Sequence, residues 1–194
     1  MATNIEIEAK VLISSEEYEN IINTYAGKVV AEYDQVNYYI DSDNFDLKNI
    51  GVGLRVRLKD GIYTLTLKAP MSEGLLEKNN SLTEVQFNAL FKKGVLPECD
   101  IKEFVKMLGK DPETLKVQTV LITHRKEIMV DDENINFSID KNKYNDLVDY
   151  ELECSGNSLS RAKDYLKRLC SVSNILYKDN QKSKETRALD TIKK

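Results

Sequence analysis

The sequence is poor in several features that would each point to a particular chemistry. Its three cysteines, Cys99, Cys154 and Cys170, are odd in number, widely spaced and in no C-x-x-C arrangement, which argues against a disulfide framework and a zinc site alike and leaves buried thiols as the expectation. A single histidine, His124, cannot supply much acid-base machinery, and its strand phase sets it opposite Arg125 in a structural or exposed role. No window approaches the run of about 20 apolar residues that a membrane helix needs. The first residues lack the basic and apolar regions of a secretory leader, so a cytoplasmic location is expected. Basic excess is missing too: 28 Lys and Arg against 32 Asp and Glu give a net charge of −4, without the footprint of a nucleic-acid-binding protein. The expected partners are therefore neither nucleic acid nor membrane.

Pro, Gly and Ser gather into no linker, and 194 residues suit one substantial domain over residues 1–194, with 179–194 a polar tail prone to fraying. What the chain does have is alternation. "IEIEAKVLI", "QVNYYIDS", "GLRVRLKD", "IYTLTLKAP", "LLEKN", "VLITHRKEIMV", "INFSIDKN" and "VDYELECS" read as about eight strands. Between them lie helical patterns. Ser14 to Glu17 form a capping-box signature ahead of Tyr18, Ile21 and Ile22, and Ser81 to Glu84 repeat it before a helix stopped at Gly94. Further helices are expected over 101–108 and 159–170. The order predicts an α+β chain with a mainly antiparallel sheet. "GVGLR" at 51–55 lacks the third glycine of a dinucleotide loop and reads as a turn, and "DDEN" at 131–134 has hairpin rather than calcium-loop spacing.

Sorting each strand by face separates charge from apolar residues. Glu6, Glu8 and Lys10 share a face; so do Arg55 and Arg57, Thr64, Thr66 and Lys68, Arg125 and Glu127, Ser138 and Asp140, and Glu151 and Glu153. A solvated sheet face is the ordinary meaning of such alternation. Here, however, Arg follows Arg and Glu follows Glu, which places like charges about 7 Å apart along one strand. If four helices cover the apolar side, the sheet can curl toward its charged face into a barrel or tunnel. A charged lumen must be wet, internally paired or filled by a highly charged ligand. A triphosphate offers anionic oxygens to Arg and Lys, and Mg²⁺ or Mn²⁺ would reconcile those phosphates with the glutamates.

The same residues carry a family resemblance. "IEIEAK" is similar to the E-x-E-x-K signature of the CYTH family of triphosphate tunnel metalloenzymes. "LRVR", "TLTLK", Arg125, "SID", the late "ELE" and a C-terminal cluster of Lys182, Lys184 and Arg187 follow in the family's order, over roughly residues 4–190. The resemblance implies an eight-stranded antiparallel tunnel covered by about four helices. It implies Glu6, Glu8, Asp140, Glu151 and Glu153 as metal ligands, with Glu77 as a further acid. Lys10, Arg55, Arg57, Lys68, Arg125, Lys182 and Lys184 would hold phosphates, and Glu6, Glu8, Lys10 and Glu153 would carry the chemistry. The implied activity is metal-dependent hydrolysis of inorganic triphosphate, thiamine triphosphate or a nucleoside triphosphate by a monomer or homodimer. A class IV-like adenylate cyclase and a non-catalytic polyphosphate- or nucleotide-binding module are the alternatives.

Overall fold

A computed structural model describes residues 2–130, 135–180 and 182–192. Among them are nine strands, β1 (Ala2–Glu6), β2 (Glu8–Ile13), β3 (Val29–Asp41), β4 (Gly53–Lys59), β5 (Ile62–Pro70), β6 (Leu75–Leu82), β7 (Lys116–Val130), β8 (Ile135–Tyr144) and β9 (Leu147–Ser155). Five α-helices accompany them: α1 (Ser15–Thr24), α2 (Glu84–Lys93), α3 (Asp100–Met107), α4 (Leu159–Val172) and α5 (Lys184–Asp190). The class is α+β, as the alternation predicts, with nine strands in place of eight and five helices in place of four. The hairpin expected at 131–134 lies outside the described residues. None of the described helices is long and apolar enough to cross a membrane.

The chain divides into two compact units, one of residues 1–5, 35–121 and 184–194, the other of residues 6–34 and 122–183. The long strands β3 and β7 are hydrogen-bonded neighbours, and each contributes residues to both units.

In the first unit the strand order is β1-β6-β5-β4-β3, and the pairs β3/β4, β4/β5 and β5/β6 are antiparallel. Leu54, Val56, Leu65 and Leu67 alternate onto one face and are fully buried against Phe87 and Leu90 of α2 and Ile101 and Val105 of α3. Each such side chain contributes roughly 1.5–3 kcal/mol of hydrophobic stabilisation. The turn entering β4 is the expected one, with Gly51 in the left-handed region at φ +75°. Asp41, at the end of β3, is buried and accepts N–H groups from Ser42, Leu47 and Lys48 at 2.7, 3.0 and 3.0 Å, so it holds the connection to β4 rather than facing a ligand.

In the second unit the order is β7-β8-β9-β2. Ala9, Val11 and Ile13 of β2 meet Cys154, Leu152 and Tyr150 of β9 in antiparallel register. Behind them lie Tyr18 and Ile21 of α1 and Ala162, Leu166 and Leu169 of α4. The Ser14 capping box forms as expected, Ser14 Oγ accepting from Glu17 N at 3.1 Å and Glu17 Oε2 from Ser14 N at 2.6 Å.

Two expectations need correction. The N-terminal run is two strands, because β1 hydrogen-bonds to β6 while β2 pairs with β9, and the change of partner falls at Ile7. Alternation consequently holds for β2 but not β1, and Ile5 is 59% exposed. The cap of α2 is Thr83 with Gln86, not Ser81 with Glu84. Ser81 and Leu82 are taken up by β6, where they oppose Thr64 and Tyr63. Within the polar tail, Lys184 to Asp190 form α5, and Arg187, Ala188 and Leu189 are buried.

Candidate functional site

The first unit carries a cationic set on the polar face of its sheet. Register places Arg55 opposite Thr66 and Tyr39, Arg57 opposite Thr64 and Asn37, and Lys68 opposite Glu77. Arg57 Nε donates to Asn37 Oδ1 at 3.0 Å. Thr66 Oγ1 donates to Asn79 Oδ1 at 2.7 Å, and Asn79 Nδ2 in turn donates to Glu77 Oε1 at 2.7 Å. Lys68 Nζ stands 3.3 Å from Glu77 Oε2. Burial would raise the Glu77 carboxyl, but Lys68, the Asn79 amide and Arg55 outweigh it and hold the group below its ordinary range. Arg55 Nε, by contrast, is buried without a hydrogen-bond partner. An unsatisfied guanidinium N–H is costly and selects for an anionic acceptor.

Glu185 of α5 completes this set, and no sequence signal marked it. Its Oε1 accepts from Leu54 N at 3.0 Å. Burial pushes its carboxyl up to about 8, against the lowering effects of the Leu54 N–H, Arg55 and Lys68, with Asp41 adding to the rise.

The second unit carries the carboxylates. Glu8, Lys10 and Leu12 share a face with Ser155, Glu153 and Glu151, and that face continues through Ser138 and Asp140 of β8. It is not a solvated surface: Asp140, Glu151, Thr123 and Asn142 are each 0% exposed. Arg125 Nε donates to Asp140 Oδ1 at 2.7 Å, and its Nη2 donates to Asp140 Oδ2 and to Glu153 Oε2, both at 2.6 Å. Burial disfavours the guanidinium charge, yet Glu153 and Asp140 more than compensate and raise its pKa. Lys10 Nζ lies 2.7 Å from Glu8 Oε1. Its ammonium is likewise held charged against burial, by Glu8, Glu153 and Glu151. Glu151 Oε1 accepts from Asn180 Nδ2 at 3.0 Å, while Asn180 N donates to Lys10 O at 3.0 Å. Asn180 thus ties the segment after α4 to β2 and β9, a role that no motif announced.

The expected site residues therefore fall into two sets. Arg55, Arg57, Lys68, Glu77 and Lys184 belong to the first unit; Glu6, Glu8, Lys10, Arg125, Asp140, Glu151, Glu153 and Lys182 belong to the second. Lys182 and Lys184 do not alternate along an extended segment: Lys182 is exposed, and Lys184 opens α5. His124 lies 2.9 Å from Asp34 and 3.1 Å from Glu32, an acid-flanked structural position. Cys154 and Cys170 are buried free thiols, both pushed up to about 11 by burial, and Cys99 is half-buried.

The donor chemistry of the second unit suits a hard divalent cation, since carboxylate oxygens are the ligands that Mg²⁺ and Mn²⁺ prefer. Lys10 and Arg125 engage these oxygens directly. Among the described residues no three acid, imidazole or thiol side chains gather as a ready metal cage. Each carboxylate nevertheless presents two oxygens and about four lone-pair sites, so a cation and a guanidinium can share one group.

A CYTH domain model matches residues 4–189, and the chain belongs to the CYTH domain family. YjbK of Bacillus subtilis (strain 168), named as a candidate triphosphatase, is 35% identical over 153 residues, which span 79% of this chain and 78% of YjbK. A Bacillus halodurans protein described as a candidate adenylate cyclase superposes with a TM-score of 0.86 at 28% identity, covering 96% of this chain and 98% of that one. HpAC1 from Hippeastrum, a candidate adenylyl cyclase for which a dominant triphosphatase activity is described, shares the fold with a TM-score of 0.71 at 22% identity, over 93% of this chain and 92% of HpAC1.

Proposed function

We propose that the protein is a metal-dependent hydrolase of triphosphate compounds. The observation that carries this reading is Arg55, whose buried Nε has no acceptor and which shares a sheet face with Arg57 and Lys68. That arrangement asks for an anion with several oxygens, and phosphoryl groups fit the geometry of guanidinium donors. Membership of the CYTH domain family and the likeness to YjbK support the same substrate class.

In this reading Arg55, Arg57 and Lys68 bind and orient phosphate oxygens, and Arg125 and Lys10 neutralise charge as it shifts toward the leaving group. Lys182 and Lys184 are assigned as supplementary phosphate ligands. Glu6, Glu8, Asp140, Glu151 and Glu153 would hold Mg²⁺ or Mn²⁺, with Glu77 in reserve. Held by these carboxylates, such a cation would supply charge neutralisation and lower the pKa of a bound water. Phosphoryl transfer of this kind needs alignment and electrostatics rather than a covalent nucleophile, so the chain's lone histidine is no obstacle.

Cyclisation of ATP is the second reading, favoured by the Bacillus halodurans relative. A pure anion receptor is disfavoured because paired glutamates would weaken anion binding. The test is to incubate the protein with inorganic triphosphate, ATP and thiamine triphosphate in Mg²⁺, Mn²⁺ or EDTA and resolve products by ion exchange. Release of one phosphate from any of the three supports the hydrolase; cyclic AMP with pyrophosphate from ATP replaces it with the cyclase; binding without product leaves only a receptor.

A further inference from the structure

Glu185 is a carboxyl set among phosphate-binding cations, where a fixed negative charge would work against the site. The fold makes room for it. An added Cβ at Gly53 would overlap Glu185 Oε2, so the glycine is the notch that admits this side chain. Leu54 N occupies Oε1 at 3.0 Å, which leaves Oε2 as the oxygen able to carry and present a proton. The groups whose charge reaches it are Arg55 of β4, Lys68 of β5, and Asp41 and Tyr39 of β3. Lys184, its neighbour on α5, and Arg57 act on Tyr39 as well.

We propose that Glu185 is a proton gate on the Arg55 and Lys68 anion set. Protonated, its Oε2 donates a hydrogen bond to a phosphate oxygen held by these cations; deprotonated, it competes with that phosphate for both of them. The proposal rests on the phosphate-binding half of the function proposed above. Two physical arguments support it. A carboxylate and a phosphate brought to one site repel, and relief comes from protonating the weaker acid, whereas a neutral carboxyl offers a donor to the same oxygen. Burial also lifts the carboxyl to about 8, so the gate carries its proton at neutral pH and loses it in mildly alkaline solution. Phosphate binding above that point must therefore take up one proton at Glu185, and affinity falls tenfold per pH unit from this group alone.

The test measures binding of inorganic triphosphate to the full chain in EDTA from pH 6.5 to 9.5 by calorimetry, for wild type, Glu185→Gln and Gly53→Ala. The amide of Glu185→Gln keeps an acceptor for Leu54 N and cannot titrate, so its curve carries the ligand's own ionisation. The ratio of wild-type to Glu185→Gln dissociation constants should be flat at neutral pH and climb about tenfold per unit above about pH 8. Gly53→Ala, whose Cβ evicts the carboxyl, should lose the same proton linkage. Parallel curves for wild type and Glu185→Gln, or no triphosphate binding at any pH, overturn the gate. Metal-supported turnover with parallel curves would sink the gate and keep the hydrolase. Proton-linked binding without turnover under any metal would keep the gate and sink the hydrolase.

Discussion

Replacing Arg125 by Met removes the charge that compensates two enclosed carboxylates while keeping most of the side chain's apolar volume. Asp140 is 0% exposed and Glu153 8% exposed, and Arg125 bonds to both, three times in all at 2.6–2.7 Å. Breaking a buried ion pair from one side costs about 3–5 kcal/mol, because the abandoned charge keeps its desolvation penalty and loses its partner. Asp140 and Glu153 both lose the guanidinium here, while Lys10 still acts on Glu153, so Arg125→Met should cost about 3–5 kcal/mol at pH 7. The loss is read from guanidinium denaturation followed by far-UV circular dichroism. Adding Asp140→Asn and Glu153→Gln to the same chain removes the stranded charges, and the triple variant should recover a substantial part of the loss. A loss below about 1 kcal/mol for the single variant, the range of a solvent-screened surface pair, would refute the reasoning. So would a triple variant no more stable than the single one, since the cost would then not be stranded charge.

Two other variants test other parts of the account. Glu8→Gln removes the carboxylate that lies 2.7 Å from Lys10 Nζ and that is assigned to the cation; phosphate release should drop by about two orders of magnitude or more, while circular dichroism stays unchanged, and full activity would remove Glu8 from the metal set. Glu185→Gln should change stability with a definite sign. The folded carboxyl is raised to about 8, so between its unfolded value and pH 8 the native state binds the extra proton and wild-type stability falls as pH rises. Over that window the fall from this group is at most about 5 kcal/mol. The Gln variant should lack it, and a wild-type denaturation midpoint that tracks the variant's from pH 5 to 9 would contradict the assignment.

The sequence's alternation was a sound guide wherever one strand keeps one environment. Leu54 and Val56 go in while Arg55 and Arg57 go to the polar face, and Leu152 opposes Val11 behind Glu151 and Glu153. It failed where distant partners decide. The break at Ile7 comes from a change of pairing from β6 to β9, and alternation carries no information about which strand lies alongside. Two capping patterns overlap at 81–86, and only the pairing of Leu82 with Tyr63 selects Thr83 over Ser81. α5 is a seven-residue helix, too short to be stable by propensity and held by the burial of Arg187, Ala188 and Leu189. Asn180 and Glu185 were invisible for the same reason: each is one polar residue in a polar tail, given meaning only by Glu151 and by the Gly53 notch.

The most direct test of the central claim is phosphate release from inorganic triphosphate by wild-type protein as free Mg²⁺ or Mn²⁺ is raised from zero. The account predicts no release in chelator, a saturable rise with cation, and full recovery when cation is restored to chelated enzyme. Release at an undiminished rate in chelator would contradict it, because the carboxylates of the second unit would then have no cation to hold.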